Sequence, residues 1–116
     1  MRIESADERD SGWEAYRPRY RVYFFRGGDR PGHSWSVVVK DVLDAEVLDV
    51  IAWAQAEIGN EGLFAVALVG DHNGERGLVW LVGMDANDEP RNETEMALRA
   101  AMEARRGHTV VDLPSA

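Results

Sequence analysis

The 116-residue chain has no cysteine. That excludes disulfides and thiolate chemistry and leaves His, Asp and Glu as the ligands for any metal site. Lysine is nearly absent too: Lys40 stands alone beside twelve arginines, a bias of GC-rich coding. The Gly27-Gly28-Asp29 turn therefore has no Walker lysine, and no helix follows it to hold a phosphate. No Gly-x-Ser-x-Gly elbow occurs, and Ser34 and Ser36 flank Trp35 near His33 on a strand whose successive side chains point to opposite faces. No nucleophilic set assembles there, and no enzyme is expected. No apolar run approaches the roughly 18 residues of a membrane helix. The start, Met1-Arg2-Ile3-Glu4-Ser5, is too acidic and polar for a signal peptide, so a cytoplasmic protein is expected.

What remains is an ordinary globular composition, 45% hydrophobic and 29% charged, at a length that suits one domain with its own core. The net charge of -8 is unevenly spread: residues 1 to 19 carry -1, residues 20 to 40 carry +3, and residues 41 to 116 carry -10. Solubility accounts for an acidic balance of this size, and an acidic surface aimed at a basic partner is the sharper reading.

The organising stretch is Leu63 to Met84: apolar runs Leu63–Val69 and Leu78–Val82, joined by Gly70-Asp71-His72-Asn73-Gly74-Glu75-Arg76-Gly77. Both runs are too short for helices and are bounded by glycines, so they predict a hairpin whose strands are apolar on both sides. Before it, Tyr20, Val22 and Phe24 alternate with Arg19, Arg21, Tyr23 and Phe25. A second strand places Trp35, Val37 and Val39 opposite Ser34, Ser36, Val38 and Lys40. The period then changes. Val47, Ile51, Ala54 and Ile58 define a helix from about Asp44, as N-cap, to Ile58, with Gly59 as its stop and Trp53 beside the stripe. Asn92 and Glu95 resemble a capping box for a second helix ending near Arg106, with a Glu95–Arg99 pair along it. Thr109-Val110-Val111-Asp112-Leu113 reads as a short fifth strand at an edge.

The expected fold is α+β, in the order ββαββα, with a single mostly antiparallel sheet of four or five strands and two helices. Residues 1–18 form a flexible lead-in from which Trp13 and Tyr16 fold back, 19–113 the domain, and 114–116 a tail. Two helices on one face would leave the other face of the central hairpin bare, so the lead-in or a second copy of the chain is expected there, which favours a homodimer.

Three clusters are candidate sites. Asp71-His72-Asn73 with Glu75 could bind a metal or move a proton, but a polar turn using Asn73-Gly74 for positive dihedrals explains it better. Asp85, Asn87, Asp88 and Glu89 suit calcium or magnesium by ligand type, yet Pro90 stands where a calcium loop of this kind wants glycine. Arg19, Arg21, Tyr23 and Phe25 share one strand face and, with Trp80, could stack bases and grip phosphates. A charged edge strand is the plainer account of the arginines, and a net charge of -8 disfavours a polyanion.

Tyr20-Arg21-Val22-Tyr23-Phe24-Phe25, the aspartate-rich lead into Val50-Ile51-Ala52-Trp53-Ala54, and Gly77-Leu78-Val79-Trp80-Leu81-Val82-Gly83-Met84-Asp85 together resemble short, mostly uncharacterised proteins of high-GC bacteria and their phages. The last stretch is similar to the immunity proteins of polymorphic toxin systems. The resemblance covers about residues 20 to 86 and implies a non-catalytic protein that works by contact; it departs from the pattern where Asn92 to Arg106 reads as helix.

The leading expectation is thus a non-enzymatic acidic protein-binding module, an immunity-like or phage-encoded inhibitor of a basic toxin or host protein. Its expected contact residues are Asp71, Glu75, Asp85, Asp88 and Glu89, with no cofactor and no metal. The alternatives are a ligand- or single-stranded nucleic-acid-binding domain using Arg19, Arg21, Tyr23, Phe25 and Trp80, and a structural homodimer.

Overall fold

Four strands and two helices follow the expected order. β1 spans Arg19–Arg26, β2 Ser36–Val42, α1 Val47–Ile58, β3 Gly62–His72, β4 Glu75–Val82 and α2 Glu93–Arg105. The computed structural model describes residues 1–12 and 17–114; the packing expected of Trp13 and Tyr16 lies outside the described residues, as does the side chain of His72. The strands form one sheet in the order β2-β1-β3-β4, every neighbouring pair antiparallel. α1 carries the chain from β2 past β1 to β3. β3 and β4 join through a tight turn in which Asn73 and Gly74 take φ of 51° and 81°, the conformation read from that dipeptide.

The strict alternation of β1 builds two cores. Tyr20, Val22 and Phe24 meet Phe64 and Val66 on one face, closed by Val50, Ala54 and Ile58 of α1. Phe25, Leu63 and Ala65 meet Trp35, Met84, Ala86 and Met102 of α2 on the other, with Tyr23 and Trp80 at its margin. The helices therefore lie on opposite faces of the sheet. This corrects the expectation of two helices on one face: β3, apolar on both sides, is sandwiched within one chain. Of the two doubly apolar runs, that of β3 is covered by α1 and α2, whereas that of β4 is not: Leu78, Val79 and Leu81 stay 38 to 59% exposed.

Three local expectations also change. α1 begins at Val47 with Glu46 as N-cap, because Asp44 adopts φ 56° as the chain leaves β2; a short polar side chain tolerates that region best. Residues 109–113 form no strand. Gln55 holds them against α1, its side-chain oxygen accepting from the N–H groups of Val110 (2.9 Å) and Val111 (3.0 Å) while its Nε2 donates to the Val111 carbonyl. The amide of Gln55 thus occupies the backbone groups that a sheet edge would have bonded. Glu95 pairs with Arg91 instead of Arg99, which turns to Glu103 and to the Ala86 carbonyl.

Candidate functional site

At the end of β4 the chain changes face as it leaves the sheet, Val82 packing on the α1 core and Met84 on the α2 core. Gly83, at φ 74°, turns it beside Met102, where an added Cβ would come within 3.0 Å. Met84 and Ala86 then point into the core while Asp85 points outward. Asp85 organises the turn: its Oδ1 accepts from the Asn87 N–H at 2.9 Å and its carbonyl from the Asp88 N–H at 3.1 Å. Asn87 locks the turn to the sheet. Its Oδ1 accepts from the Trp35 N–H at 2.8 Å and its Nδ2 donates to the Trp35 carbonyl at 3.0 Å, a side chain serving as a one-residue strand.

Trp35 is itself anchored. Arg99 and Arg106 lie 5.7 and 6.0 Å from its ring centre. Arg106 grips Asp29 through two bonds of 2.6 and 2.9 Å, which hold that carboxyl below the usual carboxylate range. α2 starts where the capping box predicts, with Asn92 accepting from the Glu95 N–H at 2.9 Å. That cap sets Glu95 and Leu98 facing the end of β4.

Between β4, this turn and α2 lies a cleft of about 250 Å³. Trp80, Met84 and Leu98 give it an apolar floor, and Asp85, Asp88 and Glu95 an acidic rim, with Arg91 at one side. Arg91 is engaged: its Nε lies 3.2 Å from Glu95 Oε1, and this hydrogen bond holds the Glu95 carboxyl below its ordinary range. The tilted Tyr23 ring, 4.9 Å away centre to centre, backs Trp80. An apolar floor under carboxylates suits an amphipathic cation, whose methylene stem covers the floor while its head meets the rim.

The five acids read from the sequence fall into two groups. Asp85, Asp88 and Glu89 sit beside the cleft, whereas Asp71 and Glu75 sit at the β3–β4 turn, about 23 Å away along β4. Asp71 also has Arg76 for a cross-strand neighbour, its Nε 3.8 Å from Oδ1.

Arg19, Arg21, Tyr23 and Phe25 do share one face of β1, but Asp41 on β2 takes up both arginines. Its Oδ1 lies 2.7 Å from Arg21 Nε, and its Oδ2 accepts from Arg21 Nη2 and Arg19 Nη1 at 3.0 Å each. The bonds from Arg21, then those from Arg19, bring the Asp41 carboxyl down to about 2. Phe25 is fully enclosed by the second core and offers no ring to a ligand. A wider hollow of about 480 Å³ has Arg17, Arg19, Asp71 and Arg76 in its wall. Its Arg19 and Arg76 already face Asp41 and Asp71.

Leu98 and Glu95 escaped the sequence reading as site residues, and Asn87, read as one member of an acidic loop, serves instead to tie that loop to Trp35. The Asn92–Glu95 box marks the start of α2 and so the helical setting of Glu95 and Leu98, but the extra residue at Leu81 and the turn at Gly83 change the face of the chain after Val82, so the strand period does not lead on to Met84. Comparison with protein-family models, with curated proteins and with solved structures finds no match. Among the described residues, no helix is long and apolar enough to cross a membrane, and no group of three or more His, Asp or Glu is placed to hold a metal ion.

Proposed function

We propose that this chain is a non-enzymatic protein-binding module that takes an arginine or lysine side chain of a basic partner into the cleft between Trp80 and Asp85. The observation that carries this reading is the union of an apolar floor with carboxylates fixed by a bonded turn. Preorganised acids lose little freedom on binding, and an aromatic floor lets a cation shed water without losing contact. The surplus of acids in residues 41 to 116 steers such a partner inward and speeds association at low salt. Immunity-like inhibition by contact is the biological form that fits.

Calorimetric titration with a short peptide alternating arginine and glycine tests the reading. The double variant Asp85→Asn, Asp88→Asn should weaken binding about tenfold, two exposed pairs at roughly 0.7 kcal/mol each. The double variant Asp71→Asn, Glu75→Gln at the far turn should leave it unchanged. Equal losses from both variants, or no binding at low salt, would overturn the proposal.

A further inference from the structure

β2 is the least protected element of the sheet. Beyond Val42, which packs against the first core, it is open: Val37, Val38 and Val39 are 40 to 46% exposed on both faces of an edge that β1 pairs on one side only. Edge strands of monomers are normally blunted by charges, prolines or bulges. β4, the other edge, follows that rule: a register shift leaves Leu81 as an extra residue between the Val66–Val82 and Ala67–Trp80 pairs. β2 shows no such irregularity along its pairing with β1; its Asp41 is turned to Arg19 and Arg21 on its own sheet, and the charge it exposes is Lys40, near its end and beyond the three valines.

We infer that β2 pairs antiparallel with β2 of a second copy of this chain, about a two-fold axis through Val38, to form a continuous eight-stranded sheet. A two-fold axis perpendicular to a sheet pairs residues of the same face, so only a few registers are open. Centring on Val38 sets Val38 against its own copy and Val37 against Val39, burying all three valines, with Lys40 opposite Ser36. Centring one residue later sets Lys40 against Val38 and Asp41 against Val37, which buries charge beside apolar side chains.

Trp53 supports this register independently. On the α1 face Phe24 pairs with Val38, and the Trp53 ring meets Phe24 edge-on at 5.4 Å, so Trp53 stands level with Val38 although it is 40% exposed. With strands about 4.8 Å apart and α1 lying over β1 and β3, the two α1 axes would stand about 19 Å apart. Helices with side chains are about 10–12 Å across, which leaves a gap that two tryptophans fill above the Val38 pair. The strand edge and the Trp53 pair together bury roughly 1,000 Å², the lower end for specific interfaces, so the dimer is a weak one. The cleft lies at the opposite edge of the sheet, so this inference does not rest on the proposed function.

Sedimentation velocity across 5 to 500 µM protein tests it. Twice the 13.0 kDa chain mass is expected at the high end. Added salt should strengthen association, since each copy carries -8, whereas it weakens peptide capture by the cleft. Val38→Lys should lower self-association at least tenfold with an unchanged melting temperature and unchanged peptide binding. Val79→Lys, on the exposed β4 edge, should have no effect. Because the chain lacks cysteine, Val38→Cys should give a covalent dimer on air oxidation and Val79→Cys should not. A monomer at every concentration, equal dimerisation of Val38→Lys, or covalent dimers formed as readily through residue 79 would overturn the inference; the first two would leave the edge to a strand of another protein.

Discussion

Replacing Asn87 by alanine removes both bonds that tie the site turn to Trp35, at 2.8 and 3.0 Å. The freed N–H and carbonyl belong to a residue only 8% exposed, so water restores them poorly. Two such bonds at about 1 kcal/mol each give a loss of about 2 kcal/mol. For a domain of this size that lowers the melting temperature by about 8 °C. Thermal unfolding followed by near-ultraviolet circular dichroism, which reports on Trp35 packing, measures it. Asp88→Ala, one residue on and exposed, is the control and should shift melting by under 2 °C. The same Asn87→Ala variant should bind the arginine peptide more weakly, because Asp85 bonds the Asn87 backbone and shares its turn. A melting temperature for Asn87→Ala within 2 °C of the parent would refute the view that this side chain pins the turn.

Gly28→Ala would place a methyl group 2.2 Å from Cδ2 of Trp35, so it should lower the denaturant midpoint by an amount equivalent to about 1–3 kcal/mol. The Asp41 carboxyl is held at about 2 in the folded chain, below its unfolded value, so its contribution is present above pH 4 and lost as pH falls from about 4 to about 2. Water reaches this triad, and screening reduces the contribution to about 1 kcal/mol; Asp41→Asn should flatten that part of the stability profile, and an unchanged acid slope would count against the triad. Gln55→Ala frees the Val110 and Val111 backbone, so their amide exchange should rise at least tenfold while the protection of β3 stays the same.

Most elements were legible from local pattern. The two-residue alternation of β1, the 3.6-residue stripe of α1 and the Asn92–Glu95 cap each act over a few residues and stand in the structure as read; the β3–β4 hairpin stands too, but its strands run on through Gly70 and Gly77, which pair with each other instead of bounding them. The parts that were not legible depend on partners distant in sequence. Nothing in the shallow, alanine-rich stripe of α2 says which face it covers; Met102 reaching Met84, Ala86 and Leu63 decides that. Val110 and Val111 read as a strand by type, but Gln55 claims their backbone groups. The basic charge of residues 20 to 40 is offset by Asp41, which lies one residue beyond that window and directly opposite Arg21. The candidate acids were legible as residues but not as a group, since strand length alone separates Asp71 and Glu75 from Asp85 and Asp88.

The most direct test of the cleft is a nitrogen-15 NMR titration of the full chain with the arginine–glycine peptide at low salt. The account predicts shifts confined to the Trp80 indole N–H and to residues 83 to 98, saturating at one peptide per chain. Shifts centred instead on Arg19 and Arg21, or scattered over every acidic loop without saturation, would contradict it.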